Sequence, residues 1–586
     1  MSILSMVEDR PTPKEVYNWR IYLLAAVASF TSCMIGYDSA FIGTTISLDS
    51  FKNEFHWSSM STDKQNLVSA NIVSCYQAGA FFGAFFAYPI GHFWGRKWGL
   101  MLSAVIFTLG AGLMLGANGD RGLGLIYGGR VLAGLGVGAG SNFTPIYISE
   151  LAPPAIRGRL VGVYELGWQV GGLVGFWINY GVEQTLAPSH KQWLIPFAIQ
   201  LIPSGLLLIG ILFVKESPRW LFLRGRREEA IKNLCWIRQI PADHIYMIEE
   251  IGAIDQTLEQ QRSTIGLGFW KPLKEAWTNK RILYRLFLGS MLFFWQNGSG
   301  INAINYYSPT VFKSIGLKGS SSSLLTTGIF GVVKTVVTIV WLLYLIDRVG
   351  RRLLLLIGAA GGSICMWIVG AYIKVVDPTR NKSDHLNGGG VAAIFFFYLW
   401  TAFYTPSWNG TPWVINSEMF DPNVRSLAQA CAAGSNWLWN FLISRFTPQM
   451  FAKMDYGVYF FFASLMILSI PFVFFLIPET KGIPLENMDP LFETKPVWRA
   501  HAKVLAQIHE DEERFRRDLE DSGYTKGGVE QVEDTSQKRP IEVNILLKMY
   551  TQCQLSFQSQ KVKEKQTLSA SATSKTQPEL TSNQTI

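Results

Sequence analysis

Apolar residues dominate twelve long stretches of this chain, and short polar segments separate them. A membrane-spanning helix needs about 20 predominantly apolar residues, so each stretch is long enough for one crossing. Glycine, proline, serine and threonine interrupt several stretches, which membrane helices tolerate when neighbouring helices satisfy the backbone. The stretches cover residues 21–46, 66–88, 98–117, 123–144, 159–180, 193–214, 282–305, 323–346, 353–373, 391–415, 426–448 and 456–478. The pattern predicts an all-α integral membrane protein with twelve transmembrane helices.

The composition agrees with that prediction. Of the 586 residues, 49% are hydrophobic and only 16% are charged, whereas soluble proteins carry about 25% charged residues. The N-terminal segment MSILSMVEDRPTPKEVYNWR is polar and has no separate apolar region before a cleavage site. We therefore expect the first span, and not a cleaved signal peptide, to direct the chain to the membrane.

The spans fall into two halves whose loops repeat one another. Glu150 precedes Arg157 by seven residues after the fourth span, and Glu418 precedes Arg425 by the same distance after the tenth. GHFWGRK and KESPRW of the first half have the counterparts DRVGRR and PETKG in the second. Such a duplication is typical of transporters built from two parallel halves around a midplane site. The predicted parts are a cytoplasmic N-terminus at 1–20, a first half at 21–214, a cytoplasmic linker with short helices at 215–281, a second half at 282–478, and a cytoplasmic tail at 479–586 that we expect to be disordered after about residue 521.

The charges indicate orientation and not a nucleic-acid partner. Lysine and arginine concentrate in loops on one side of the twelve-span trace, which predicts that both termini and the linker are cytoplasmic. The net charge of +9 lies mostly on that side, where it meets anionic lipid head groups. The six cysteines fall in predicted spans or cytoplasmic segments, so no external disulfide framework is expected. Asn381 begins an Asn-Lys-Ser sequon in a predicted external loop and is a glycosylation candidate.

A lysine in the middle of the eighth span needs a specific explanation. An ammonium group at the bilayer centre costs roughly 2.5–3.5 kcal/mol on insertion scales. Gly331, Thr335 and Thr338 lie near Lys334 at helical spacing, so these residues form a polar stripe that we expect to face away from lipid. The lysine must then pair with a carboxylate, reach water in a cavity, or meet a negatively charged substrate.

Taken together, the motifs resemble those of the sugar porter family of the major facilitator superfamily. The resemblance extends from about Trp19 to Leu485, and within the family EDRPTPKEVYNWR and SCMIGYDSAFIGTT are most similar to the fungal quinate permeases. The matching motifs, in chain order, are GYD at 36–38, GRK at 95–97, GR at 129–130, ESPRWL at 216–221, QNGSGINAINYYSP at 296–309, DRVGRR at 347–352 and PETKG at 478–482. The resemblance implies the major facilitator fold and a transporter.

The resemblance also assigns roles to charged residues. It implies that Asp38 takes up a proton and that Arg130 tunes its affinity; a static buried ion pair is the alternative. It implies that loop charges form salt bridges between the halves at a cytoplasmic gate, where simple positive-inside anchoring is the alternative. The gate residues are Arg96, Glu150, Arg157, Arg159, Asp347, Arg351, Arg352, Glu418 and Arg425. His92 and Phe93 stand where the family usually carries an acid–base pair, which puts the strength of the first-half lock in question.

The expected substrate site combines family positions with two departures. Amides and aromatics at the family's sugar-binding positions are Gln296, Asn297, Asn302, Tyr306, Tyr307, Trp408 and Asn436, and Asn297 is the shorter replacement of one of the family's two adjacent glutamines. Glu165 replaces the family's fifth-span glutamine, and Lys334 replaces its eighth-span asparagine. A neutral hexose supplies no counter-charge for a buried ammonium, whereas a hydroxylated carboxylic acid does. The alternatives are that Glu165 and Lys334 pair with each other, or that they face lipid or water without a role.

These expectations give a leading hypothesis and two alternatives. The first is a plasma-membrane proton symporter that imports quinate or a similar cyclic hydroxy acid by rocking of the two halves. A neutral sugar or polyol symporter and a non-transporting nutrient receptor with a long tail are the others. The expected partners are the hydroxylated carboxylate, protons and the lipid bilayer, with any tail-binding regulator unknown. The sequence has no metal-ligand cluster, phosphate loop or nucleophile–base arrangement, so we expect no cofactor and no enzymatic activity.

Overall fold

The computed structural model describes most of the chain, and the described part is helical without strands. The described residues are 12–153, 156–264, 266, 268–317, 319–345, 349–378, 388–420, 422–481, 483 and 488–521. The glycosylation candidate Asn381 and the tail after residue 521 lie outside these ranges, so both expectations stay predictions.

Two groups of helices form the two halves of the bundle. The first half contains α1 (Trp19–Ser47), α2 (Asp49–Glu54), α3 (Thr62–Phe93), α4 (Arg96–Leu115), α5 (Gly124–Leu151), α6 (Arg157–Thr185), α7 (His190–Ile199) and α8 (Leu201–Phe213). The linker contains α9 (Pro218–Leu223), α10 (Arg227–Arg238), α11 (Ile245–Thr264) and α12 (Trp270–Thr278). The second half contains α13 (Lys280–Gly298), α14 (Ile301–Ser314), α15 (Ser320–Val340), α16 (Arg351–Val376), α17 (Gly388–Tyr404), α18 (Thr411–Glu418), α19 (Pro422–Met454) and α20 (Gly457–Leu476). Two helices follow, α21 (Met488–Glu493) and α22 (Val497–Asp521).

Not all of the twelve helical passes are equally apolar. Among the described residues, eight passes are long and apolar enough to cross a membrane by length and composition alone. The other four are the long helices α3, α6 and α19 and the broken pass made of α13 and α14. These four carry most of the predicted substrate residues, so their lower hydropathy follows from the polar side chains that they turn towards the interior.

Glycines on α5 allow the first half to pack closely. A Cβ atom at Gly134 would overlap the carbonyl oxygen of Tyr76 on α3, and one at Gly136 would lie 2.5 Å from the carbonyl oxygen of Ser103 on α4. Small residues at helix interfaces let backbones approach within a membrane, where association depends on van der Waals packing. The helix α5 is therefore held between α3 and α4 by glycines on two faces.

The two halves meet mainly along three helix pairs, namely α1 with α14, α3 with α19, and α6 with α15, and α5 also contacts α19. A Cβ atom at Gly43 of α1 would overlap the carbonyl oxygen of Tyr306 on α14, and Gly331 of α15 packs against the Phe176 ring of α6. These contacts bring the interior faces of α1, α6, α14 and α15 together. The candidate site described below lies between them.

The linker packs against one end of the first half, which we call the linker end; α4 and α16 begin there. Arg238 of α10 forms a buried ion pair with Glu250 of α11 at 2.6 Å and donates to the carbonyl oxygen of Leu151 at 2.7 Å. Asn18, the N-cap of α1, donates to the carbonyl oxygen of Ile237 at 2.8 Å. The linker is thus bonded to both α1 and α5.

The chain after the last pass returns to the second half. Arg281 at the start of α13 pairs with Glu493 of α21 at 2.6 Å, and Arg285 pairs with Asp489. The chain divides into two compact units at residues 505 and 506. Helix α22 (Val497–Asp521) forms the described part of the tail after α21.

We predict that Gly134→Leu lowers the stability of the bundle. The new side chain has to displace the α3 backbone at Tyr76, and overpacking of this kind typically costs about 1–3 kcal/mol. The measurement is the thermal unfolding midpoint of the purified protein in detergent. Gly128→Leu on the same helix is the control, because a Cβ atom there meets open space. An equal fall in both variants would contradict the packing role of Gly134.

Candidate functional site

Breaks in two helical passes expose polar groups between the halves. The pass α13–α14 is interrupted at Gly300, whose φ of +88° places it in the left-handed region and whose Cβ would lie 2.8 Å from the Phe462 ring. A π-helical turn, Thr405–Asn409, separates α17 from α18. Gln296 joins the two breaks, since its Nε2 donates to the carbonyl oxygens of Trp408 at 2.8 Å and Asn409 at 2.7 Å. Discontinuous helices of this kind typically form midplane binding sites in transporters.

The predicted amides of the second half form one cluster beside this break. Asn297 Nδ2 donates to Asn436 Oδ1 at 3.2 Å, and Asn302 Nδ2 donates to Asn297 Oδ1. The three residues come from α13, α14 and α19 and are largely buried. Because their hydrogen bonds are mutual, they can exchange these bonds for bonds to substrate hydroxyl groups at modest net cost.

The predicted aromatic residues have structural partners of their own. Tyr306 OH accepts from Asn440 Nδ2 at 3.3 Å, and Tyr307 OH donates to the carbonyl oxygen of Ser444 at 2.9 Å. Trp408 Nε1 donates to the carbonyl oxygen of Leu355 at 3.1 Å. The indole N–H of Trp408 therefore anchors the π-helical turn to α16, and only its ring is left for contact with a substrate.

Glu165 and Lys334 face each other across the boundary between the halves. Both are at least 90% buried, so neither side chain faces lipid. They lie on α6 and α15, which pack against each other, but among the described residues no N–O distance between them falls within the 4.0 Å of an ion pair. Glu165 instead accepts from Asn409 Nδ2 at 3.4 Å. The two charges are thus near one another without being joined.

Lys334 lines a small cavity between the halves. Its volume is about 10 Å³, and polar residues from four helices reach it: Ser39 of α1, Gln169 of α6, Asn305 of α14 and Lys334 of α15. A cavity of that size holds about one water molecule. The site is therefore nearly closed, and a larger ligand enters only if the halves separate. The sequence analysis missed Gln169 and Asn305, because the amides that it named came from the family pattern, and an uncharged amide outside that pattern carries no distinctive signal.

Asp38 and Arg130 form a fully buried ion pair in the first half. Arg130 Nη1 lies 2.5 Å from Asp38 Oδ1, and neither side chain is exposed. Arg130 also donates to the carbonyl oxygen of Ile72 at 2.8 Å and lies over the Tyr76 ring, 4.7 Å from its centroid. Asp38 Oδ2 has no hydrogen-bond partner within the described part of the chain. One carboxylate oxygen is therefore bonded to the guanidinium group, and the other is available to accept a proton.

A charge cluster of the first half lies at the linker end. Arg96 pairs with Glu150 at 2.8 Å, and Glu216 accepts from the backbone N–H groups of Arg96 at 3.0 Å and Lys97 at 3.1 Å. Burial raises the pKa of Glu216, and backbone hydrogen bonds oppose that rise. Glu216 thus caps the N-terminus of α4. Gly95, with φ +96°, is required because a Cβ would collide with this carboxylate.

The second half repeats the cluster almost atom for atom. Arg351 pairs with Glu418 at 3.0 Å, and Glu479 accepts from the backbone N–H groups of Arg351 at 2.9 Å and Arg352 at 3.0 Å. Gly350 takes the place of Gly95, with φ +94°. The sequence analysis recognised KESPRW and PETKG as repeats but did not assign Glu216 and Glu479. Their equal position in the two repeats was the signal that could have identified them.

The other predicted gate residues are only partly described. Arg157 and Arg425 line one cavity of about 360 Å³ at the linker end, together with Glu150. Both ion pairs given above lie within one half, so salt bridges between the halves stay a prediction. Asp347 and the side chain of Arg159 lie outside the described part of the chain.

His92 and Phe93 do not form a charged lock. Their rings lie 5.3 and 5.4 Å from the ring of Phe269, which precedes α12 in the linker. The carbonyl oxygen of His92 accepts from Trp220 Nε1 at 3.1 Å. This departure from the family pattern is therefore explained by contacts with the linker. In the described residues, no group of three or more histidine, cysteine, aspartate or glutamate residues is arranged to hold a metal ion.

Comparison with known proteins agrees with this architecture. Residues 24–492 match the family model of sugar (and other) transporters. A probable quinate permease of Aspergillus niger is 96% identical over 538 residues, which are 92% of this chain and 100% of that protein. A probable quinate permease of Aspergillus fumigatus is 81% identical over 540 residues, with 92% of this chain and 100% of that protein covered.

Solved structures give the same result for the fold. The proton:xylose symporter XylE of the major facilitator superfamily, bound to 6-bromo-6-deoxy-D-glucose, has a TM-score of 0.67 and 28% identity, over 81% of this chain and 99% of that one. The inward open conformation of the xylose transporter XylE from E. coli has a TM-score of 0.64 and 26% identity, over 81% and 100% of the two chains.

These matches confirm the predicted fold class and the predicted family resemblance. The protein is a multi-pass membrane protein, and its relatives are named as permeases and not as enzymes. The family model covers most of the chain and includes both halves and the linker. The chain therefore belongs to the family of sugar and other transporters, within the major facilitator superfamily.

Proposed function

We propose that this protein is a proton-coupled symporter that imports quinate, or a similar cyclic hydroxy acid, across the plasma membrane. Both termini and the linker face the cytoplasm. The observation that carries the proposal is the position of Lys334, which is buried at the boundary between the halves and lines a cavity with amides. The names of the similar Aspergillus proteins support the same substrate.

The chemistry of Lys334 favours an anionic ligand. A buried ammonium group without a counter-charge is costly in a medium of low dielectric constant. Glu165 partly compensates Lys334 but accepts a hydrogen bond from Asn409 and is not within ion-pair distance. A substrate carboxylate that enters between the halves completes the compensation. The amide cluster around Asn297 then serves the ring hydroxyl groups.

We assign the binding of the coupled proton to Asp38. Its unpartnered Oδ2 can accept a proton while Oδ1 remains bonded to Arg130. Protonation weakens the hold of the carboxyl group on the guanidinium group, because it removes one of the two charges. One proton moving with one monoanion is electroneutral, so a pH gradient alone can drive uptake. The halves then rock about the nearly closed cavity, as in other transporters with two repeats.

A neutral polyol substrate is the second candidate, and one observation favours it. Glu165 and Lys334 carry opposite charges and are buried on helices that pack against each other across the boundary. If these two charges alone keep the site neutral, no substrate carboxylate is needed. The two candidates give different results when Lys334 is replaced.

We predict that Lys334→Asn abolishes quinate uptake or raises its KM about tenfold or more, since hydrogen bonds to charged groups are worth about 1.5–3 kcal/mol. The measurement is uptake of labelled quinate and labelled glucose at acidic pH, in cells that lack endogenous carriers. Thr327→Val on the same helix is the control, because Thr327 Oγ1 bonds only to the carbonyl oxygen of Ser323. Undiminished quinate uptake, or glucose uptake that survives in Lys334→Asn, would contradict the anionic substrate.

We also predict that Asp38→Asn removes the dependence of uptake on a pH gradient. The asparagine keeps the size of the side chain but cannot exchange a proton, so accumulation against a gradient is lost. Exchange of labelled for unlabelled quinate across equilibrated vesicles is retained, because that process needs no net proton movement. The comparison requires equal amounts of wild type and variant in the membrane. Uphill accumulation by Asp38→Asn would show that another group carries the proton.

A further inference from the structure

We propose that Gln169 and Asn305 are specificity-determining residues. With Lys334 they form a subsite for a carboxylate that has a hydroxyl group on the same carbon atom. This inference rests on the proposed function and specifies which part of the substrate the cavity recognises. It differs from the amide cluster at Asn297, which lies beside the helix break at Gly300.

Two buried polar atoms at the cavity are without a partner. Gln169 Nε2 and Asn305 Oδ1 make no hydrogen bond within the described part of the chain. The two side chains are only 3% and 6% exposed, and both line the cavity with Lys334. The large majority of buried polar side-chain atoms in proteins have a hydrogen-bond partner. Two unpaired atoms in one cavity therefore indicate a ligand that satisfies both.

The types of these atoms define the ligand. Lys334 offers a cation and Gln169 Nε2 offers an N–H donor, and both suit a carboxylate. Asn305 Oδ1 is an acceptor and requires a hydroxyl or N–H donor. Ser39 Oγ already donates to the carbonyl oxygen of Ile35 at 2.8 Å, so it can only accept a further bond. The set as a whole matches a carboxylate beside a hydroxyl group, and a bare carboxylate would leave Asn305 unpaired.

The helices supply these groups from both halves. Gln169 lies one turn from Glu165 on α6, so the two residues share the face that meets the second half. Glycines admit the backbone approach that narrows the cavity, since a Cβ at Gly36 would overlap the carbonyl oxygen of Trp168. Ligand binding here joins α6 of one half to α14 and α15 of the other. The same contacts that recognise the hydroxy acid therefore close the site.

Quinate has its carboxylate and one hydroxyl group on the same ring carbon, and 1-deoxyquinate lacks only that hydroxyl group. The test compares uptake of the two acids and of myo-inositol by the wild type, Asn305→Leu and Gln169→Leu in carrier-deficient cells. Thr310→Val is the control on α14, because Thr310 is exposed outside the cavity. Tagged protein at the cell surface is measured for each variant.

We expect the wild type to prefer quinate over 1-deoxyquinate by about threefold to tenfold in kcat/KM, the range of one neutral hydrogen bond. Asn305→Leu removes this preference and still carries 1-deoxyquinate. Gln169→Leu lowers kcat/KM for both acids alike, roughly tenfold, because it removes a donor to the carboxylate. Asn305→Ser, which keeps an acceptor, restores part of the preference.

Different failures have different meanings. A wild type that carries both acids equally, or an Asn305→Leu variant that keeps the preference, overturns the subsite and leaves the proposed function intact. An equal fall in kcat/KM for both acids in Asn305→Leu overturns the assignment of the hydroxyl group to Asn305. A wild type that carries myo-inositol and neither acid overturns the proposed function itself.

Discussion

Compensation of charge inside a low-dielectric bundle is the constraint on which this structure depends. The charge of Arg130 is compensated completely within one half, by the Asp38 carboxylate, the carbonyl oxygen of Ile72 and the ring of Tyr76. The charge of Lys334 is not compensated in this way, because Glu165 belongs to the other half and lies beyond ion-pair distance. The first arrangement is complete without a ligand, and in the function that we propose the second is completed by a ligand. Under that proposal, this difference separates the group that handles the proton from the group that handles the substrate.

The duplication of the chain imposes a second constraint at the linker end. Glu216 and Glu479 each cap a helix whose first residue is an arginine, and each arginine pairs with a glutamate, Glu150 or Glu418. Such a cap needs a residue with positive φ before the helix, and in both halves that residue is glycine. The motifs therefore recur in both halves because the same cap geometry requires the same residues. Each half, together with the first residues of the segment that follows it, therefore has its own copy of the cluster.

Much of this fold could be predicted from the sequence, because bilayer thickness fixes the length of each span and duplication fixes the order of the halves. The buried position of Lys334 also followed from its polar stripe. The unpaired state of Gln169 and Asn305 could not be predicted, since it depends on how α6 and α14 are rotated towards the cavity. The hydrogen bond from Trp408 Nε1 to Leu355 could not be predicted either, because the π-helical turn that orients the indole ring has no simple sequence signature.

The contact of Phe269 with the first half has a consequence for the response to ionic strength. Phe269 packs against Tyr88 at 5.1 Å and against Phe93 at 5.4 Å between ring centroids, and Tyr88 OH donates to its carbonyl oxygen. Dissolved salt screens the attraction between exposed charges but does not weaken packing between rings. The pairs Arg96–Glu150 and Arg351–Glu418 are also screened only weakly, because their side chains are largely buried. The attachment of the linker to the first half at Phe269 and the two charge clusters therefore change little with ionic strength.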